Sequence, residues 1–431
     1  MASRQTASSY RWIIIAVLWI GSFFISGSWL FIISIIGTIK FGNFNIGGLG
    51  TGEGALIVIL PFVSLIPLAF VSGPIVDKVG VKKIGAIGYL VFTIFSVLRG
   101  VSDSFFTLAI FTICMGAGLG LTMPLAFKLI GYWFDESEIG TASGINMTAS
   151  GFGIFFFEAI TLPLILPLVG HWRNTFLFYG ILTSIALVLW IIIIKEYPEG
   201  QSEKESEERA PIKEALSTII RNKKIWYIIV INCALVLSYF AGKNAYRLLF
   251  PLRTGENSLL HSLIRIHYWF LDFGEPHHAV FIIAFISLGA MFSNLIIPNL
   301  SDRVKKRKIF LISGLIIMGI TVVTTGILEG VLIWISAFIM GFAVGIIAPL
   351  APTCIIEIVD AKYIGTSVGL TNSVSNSIVL VVTLIFPLLI PDKYNPISYL
   401  PLLLALGIIC IIGVFFAQKL PETAGKMKRV H

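Results

Sequence analysis

A few polar residues of this sequence stand inside long apolar runs, where they could do chemistry. Glu158 lies in the run 140–168, Lys128 near the end of 105–130, and Lys243 and Arg247 in 226–250. An ionisable group in apolar surroundings is costly, so it is read first as a functional group. A carboxyl held in a low-dielectric site keeps its proton up to higher pH, so Glu158 is a candidate to load and release a proton. Lys243 and Arg247 stand one helical turn apart on one face, and such cations suit an anion. Tyr239 lies one turn before Lys243. Asn372 and Asn376, four apart in 365–390, can point the same way, with Thr371, Ser373, Ser375 and Ser377 beside them. Asn146, Thr148, Asn244 and Asn294 are weaker candidates of the same kind. Each has a structural alternative. Glu158 could close an ion pair between helices, Arg247 could anchor at the membrane interface, and Lys128 could snorkel to headgroups. The small polar side chains could glue helices together. Arg99 is expected at the outer interface.

The elements that must position these groups follow from composition. The chain has 431 residues, 56% hydrophobic and 13% charged, with a mean hydropathy of +0.92. Soluble domains are about 45–50% apolar and about 25% charged, so lipid must cover much of this surface. A spanning helix needs about 20 apolar residues. Twelve such runs are present, at roughly 12–36, 54–76, 84–101, 105–130, 140–168, 174–194, 226–250, 278–299, 309–327, 331–356, 365–390 and 398–417. The expected fold class is an all-α integral membrane protein of twelve spans in two pseudo-symmetric six-helix bundles. The first half covers 1–194, a polar cytoplasmic linker 195–225, and the second half 226–431. The first run is too long for a signal-peptide core and reads as a retained span. Cys114, Cys233, Cys354 and Cys410 lie in apolar runs without metal-ligand spacing.

Orientation follows from the 31 basic residues. All but eight (Lys40, Arg99, Arg173, Lys243, Arg247, Arg253, Arg265 and Lys393) fall on the side of the termini. Both termini are therefore expected in the cytoplasm of a cell-membrane protein. The net charge of +8 is explained by this topology and by anionic lipid, and no nucleic-acid partner is implied. Segment 251–276 forms a long outer loop. Tyr268, Trp269 and apolar residues at helical spacing suit it to the interface. Its neighbourhood holds His261, His267, His277 and His278, read as solvated.

The sequence repeats at an offset of 225. Between the second and third runs stands GPIVDKVGVKK, Gly73 to Lys83; between the eighth and ninth stands PNLSDRVKKRK, Pro298 to Lys308. Asp77 aligns with Asp302, Lys78 with Arg303, and Lys82 with Arg307. Further on, Gly116, Gly120, Pro124, Leu125, Ala126, Asp135, Ile139, Gly140, Thr141 and Gly144 meet identical residues at the same offset. Two parallel halves related by an axis along the membrane normal follow.

On these residues the chain resembles the major facilitator superfamily, whose signature G-x-x-x-D-[RK]-x-G-x-[RK]-[RK] is filled by Gly73, Asp77, Lys78, Gly80, Lys82 and Lys83. In the second copy Pro298 and Lys305 replace the two glycines, while Asp302, Arg303 and Arg307 are kept. The resemblance implies two halves that rock about a central site. It implies a latch in which Asp77 faces the start of the eleventh span near Gly365 and Thr366, where free N–H groups favour an anion. Lys78 and Lys82 would complete its charge network. One departure is that Thr112 and Cys114, not the Arg of many proton-coupled members, stand four residues before Gly116 and Gly118.

The resemblance therefore implies a secondary transporter, with the lipid bilayer, a small-molecule substrate and protons as partners, working as a monomer. A proton-coupled carrier of an organic anion leads. A carrier of a neutral solute such as a sugar, a drug efflux pump and, remotely, a membrane sensor are the alternatives. No nucleotide-binding loop or His–Glu metal motif is present, so no cofactor, metal or enzymatic role is expected.

Overall fold

A computed structural model describes residues 2–41, 44–45, 52–135, 137–197, 212–253, 278–360, 363–385 and 396–424. Within lipid a backbone must satisfy its own N–H and C=O groups, which favours helices. Twelve long helices answer the twelve apolar runs. They are α1 (Ala2–Leu30), α2 (Pro61–Val79), α3 (Val81–Leu98), α4 (Phe105–Thr122), α5 (Ile139–Ile160) and α6 (Trp172–Ile193), then α7 (Lys223–Arg253), α8 (His278–Val304), α9 (Lys308–Thr325), α10 (Val331–Ile358), α11 (Ile364–Ile385) and α12 (Leu400–Lys419). Among the described residues, ten helical spans are long and apolar enough to cross a membrane. The eighth and eleventh runs fall on α8 and α11. A two-residue antiparallel pairing, Lys40 with Asn45 and Phe41 with Phe44, follows α1. The expected interfacial segment falls in 254–277, outside the described residues, as do the side chains of Asp77, Asn244 and Arg247.

Local signals set the helix ends. Ser104 and Thr107 form a reciprocal capping box at the start of α4. Pro124 interrupts the fourth span, which resumes as Leu125–Trp133. Beyond α5 the helix widens into one π-turn at Thr161–Ile165, three residues past Glu158.

The repeat is structural. A Cβ on Gly116 would strike the Pro61 carbonyl, and one on Gly341 the Ile286 carbonyl. Both members of each pair stand 225 apart, so α4 approaches α2 as α10 approaches α8. The halves then meet along two symmetry-related seams, α5 with α8 and α2 with α11. At the first, Gly144 lies against the Asn294 carbonyl; at the second, Gly73 lies against the Gly365 carbonyl. A side chain at either position would force the helices apart.

Candidate functional site

At the end of the bundle that carries the termini, the two repeat copies build two different junctions. In the second copy, Asp302 at the end of α8 faces the start of α5. Its Oδ2 accepts hydrogen bonds from the backbone N–H of Thr141 (2.6 Å) and from Thr141 Oγ1 (2.7 Å). This is the helix-start contact that the resemblance implies for Asp77, here made by its repeat partner. Arg307 is 1% exposed. It pairs with Asp302 at 2.5 Å and with Glu357 of α10 at 2.9 Å, and its Nη1 donates to Ser301 Oγ at 3.0 Å. Burial works against its charge, but Glu357 and Asp302 outweigh this and hold the guanidinium above its ordinary range. Glu422, beyond α12, accepts from the backbone N–H of Arg307 (2.6 Å), Thr423 (3.1 Å) and Ala424 (3.4 Å), capping the start of α9.

In the first copy, Glu196 accepts from the backbone N–H of Val81 at 2.9 Å and caps α3 in the same manner. Trp190 Nε1 donates to the Lys82 carbonyl at 3.0 Å. Tyr132, the repeat partner of Glu357, lies against Tyr197 with ring centroids 4.9 Å apart. Lys78 and Lys83 are exposed and Lys82 is half-buried. Gly80 has φ +104°, and its repeat partner Lys305 also has positive φ, +54°. Both turns pass through a positive φ, and the second does so without a glycine. Arg303 is exposed.

The other end of α5 holds Glu158, 18 residues or about 27 Å beyond Gly140 at 1.5 Å per residue. There Lys243 Nζ of α7 donates to Glu158 Oε1 at 3.2 Å. Lys243 is 6% exposed and Glu158 1%. This ion pair joins the two halves. The Lys243 ammonium also sits 5.7 Å from the centre of the Tyr239 ring. Next to it, Phe240 of α7 meets Phe62 of α2 edge-on at 5.7 Å. Thus the halves are joined near both ends, by unrelated sets of side chains.

The remaining candidates separate from this pair. Asn376 donates to the Asn372 carbonyl on its own helix at 2.8 Å and lies 4.0 Å from Met123 Sδ, across the seam. Ser373 donates across the seam to the Ile66 carbonyl at 2.9 Å. Ser375 accepts from Asn232 at 2.9 Å, a partner the sequence did not single out. Asn146 and Thr148 bind Ser22 and Trp19 of α1, so they tie helices within one half. Two expectations are corrected. Lys128 does not snorkel: it is 2% exposed, with its ammonium 5.6 Å from the Tyr132 ring centre. Arg99 is no interfacial anchor: it is 1% exposed, donates to the Ser28 carbonyl at 2.9 Å and lies 4.6 Å over the Phe176 ring. Glu357, Glu422 and Glu196 were missed. Each partners a residue far away in sequence, and a lone acid near a span end reads as an ordinary interfacial charge. Among the described residues no group of three or more His, Cys, Asp or Glu could hold a metal ion.

Comparison with known proteins agrees with this architecture. A probable sulfoacetate transporter of Cupriavidus necator is 28% identical over 143 residues, about a third of each chain (33% and 32%). A glucose transporter of Staphylococcus epidermidis is 22% identical over 430 residues, 91% of this chain and 90% of that one. The solved proton:xylose symporter XylE superposes with a TM-score of 0.72 at 16% identity, over 97% of this chain and 98% of that one. At that identity the likeness shows the fold alone. The family model of the Major Facilitator Superfamily matches residues 18–383, and the chain is therefore a member of that superfamily, a multi-pass membrane transporter.

Proposed function

We propose that this transporter carries a small organic anion by alternating access, driven by protons, with Lys243 receiving the anion and Glu158 the proton. The observation that carries this reading is the buried Lys243–Glu158 pair between the halves. A buried cation placed on a moving seam offers an anion a site that exists only when the seam opens. Tyr239 borders that region, and Arg247 stands one turn beyond Lys243. The sulfoacetate-transporter relative supports the anion class. Separate contacts at the two ends support alternation. Asp302, Thr141 and Arg307, with Gly73, Asp77, Lys78, Gly80, Lys82, Lys83 and Arg303 at the same end, would close the cytoplasmic side. Lys243 and Glu158 would close the other. We place the protein in the cell membrane as a monomer with both termini in the cytoplasm.

The test is uptake into proteoliposomes holding the purified chain. Labelled sulfoacetate, lactate and glucose are offered with and without an inward proton gradient. The expected result is gradient-driven accumulation of an organic anion. Lys243→Ala should lower it by at least about tenfold, because truncating one partner of a buried charge pair costs about 2–5 kcal/mol. Uptake of glucose alone, unchanged in Lys243→Ala, would sink the anion reading. It would favour a neutral-sugar carrier, a second reading supported by the nearly full-length match to the glucose transporter and by the polar residues of α11.

A further inference from the structure

We infer that Arg99 holds a small monovalent anion of the halide class, such as chloride, in a buried site of the first half, at the end away from the termini. The inference does not depend on which solute is carried, and it uses neither Lys243 nor Glu158.

Arg99 follows α3 without a break in helical geometry, at φ −57° and ψ −32°. Ser96 therefore stands one turn before it on the same face. Ser28, in the last turn of α1, offers its carbonyl to Arg99 Nη2 at 2.9 Å. Ser28 and Ser96 are 0% exposed and Arg99 1%. Four polar atoms of these three side chains have no hydrogen-bond partner among the described residues: Arg99 Nε and Nη1, Ser28 Oγ and Ser96 Oγ. A buried donor without an acceptor is costly, and such groups are few in a folded protein. A serine within a helix can satisfy itself on a carbonyl of the preceding turn, as Ser184 does on Ile181 at 2.6 Å. Ser28 and Ser96 do not.

Charge decides what completes the set. Among the described residues no carboxylate pairs with Arg99. Of the described acids at this end of the first half, Glu158 is paired with Lys243, and Asp103 is exposed and accepts from Thr107. The Ser28 carbonyl and the rings of Phe176 at 4.6 Å and Phe31 at 5.8 Å attract the guanidinium. They carry no net charge and leave its own in place. Water would accept from the free N–H groups and leave that charge too. A monovalent anion accepts from the N–H groups and from both hydroxyls, and it cancels the charge, as a buried cation requires. A divalent anion would leave a net negative charge instead. Two aromatic faces beside the guanidinium suit a weakly hydrated, spherical ion.

The repeat supplies a contrast. Thr321 and Thr324 stand 225 residues beyond Ser96 and Arg99. Each donates to a carbonyl of α9 three or four residues back. Those two positions bring neither a charge nor an unpartnered hydroxyl, so the site belongs to the first half.

The test compares salts. The full chain in detergent is exchanged into sodium gluconate and titrated with sodium chloride at constant ionic strength, and melting curves report binding. The expected result is a melting temperature that climbs with the logarithm of chloride concentration once the site begins to fill, with bromide acting in the same way. Ser28→Ala combined with Ser96→Ala keeps the cation and should weaken chloride at least about tenfold, as loss of hydrogen bonds to a charged group does. Arg99→Gln should abolish the response. If Arg99→Gln does not fold, the double serine variant decides. A melting temperature indifferent to the exchange of gluconate for chloride overturns the inference, and water then completes the set. A chloride response undiminished in the serine variant, or present in Arg99→Gln, places the ion elsewhere and overturns it as well.

Discussion

The two copies of the repeated loop do one job with different chemistry. The first copy fills the family signature completely, and its neighbourhood is aromatic: Trp190 on the Lys82 carbonyl, Tyr132 against Tyr197. The second copy has lost both glycines, yet it buries an arginine between two carboxylates and sets one of them on the start of α5. The change from Tyr132 to Glu357, 225 residues on, explains much of the difference. A buried guanidinium needs a second acid, and a half-buried Lys82 does not. Among the described residues, which leave out the Asp77 side chain, the copy that matches the signature less well carries the buried arginine network.

Four pairs of substitutions would break or sharpen this contrast. The largest effect is expected from Arg307→Met, which strands Asp302 and Glu357 and should cost about 3–5 kcal/mol. Lys82→Met, its counterpart, should cost under about 1 kcal/mol. Thermal unfolding in detergent reads both, and equal losses would erase the distinction. Next come the seams. Gly144→Val and Gly369→Val each drive a side chain into backbone, against Asn294 and Ala69 respectively, at about 1–3 kcal/mol each. Both should raise labelling of cysteines introduced along each seam by a membrane-impermeant maleimide added on the side of the termini; unchanged labelling would show that neither seam closes that end. Smaller still is loss of the caps, at about 0.5–2 kcal/mol. Glu422→Ala, which frees three N–H groups, should lower the melting temperature more than Glu196→Ala, for which one such bond is resolved. The last pair has opposite signs in the two copies. Gly80→Ala should destabilise by about 1–2 kcal/mol and Lys305→Gly should stabilise by up to about 1 kcal/mol, because both positions hold positive φ.

What the sequence made legible follows from what is local or repeated. Apolar runs located the helices because lipid enforces internal hydrogen bonding over each run. The constant offset exposed the repeat, and with it the equivalence of the α5–α8 and α2–α11 seams. Pairing was harder to read. Glu158 and Lys243 each stood out as costly charges, but nothing in either run says that they touch. Lys128 and Arg99 were misread because hydropathy gives position along a helix and not the face on which a side chain lies. Arg99 found a carbonyl and the face of Phe176 rather than the interface.

The distance in sequence between Glu158 and Lys243 has a consequence for how the protein is made. Glu158 is added to the chain 85 residues before Lys243, which at about 5–20 residues per second is roughly 4–17 s. Through that interval the Glu158 carboxyl cannot meet the Lys243 ammonium. A charged group is poorly tolerated at membrane depth, so the cost of carrying Glu158 into the bilayer falls on the first half alone. The Lys243–Glu158 pair is a product of assembly rather than of insertion.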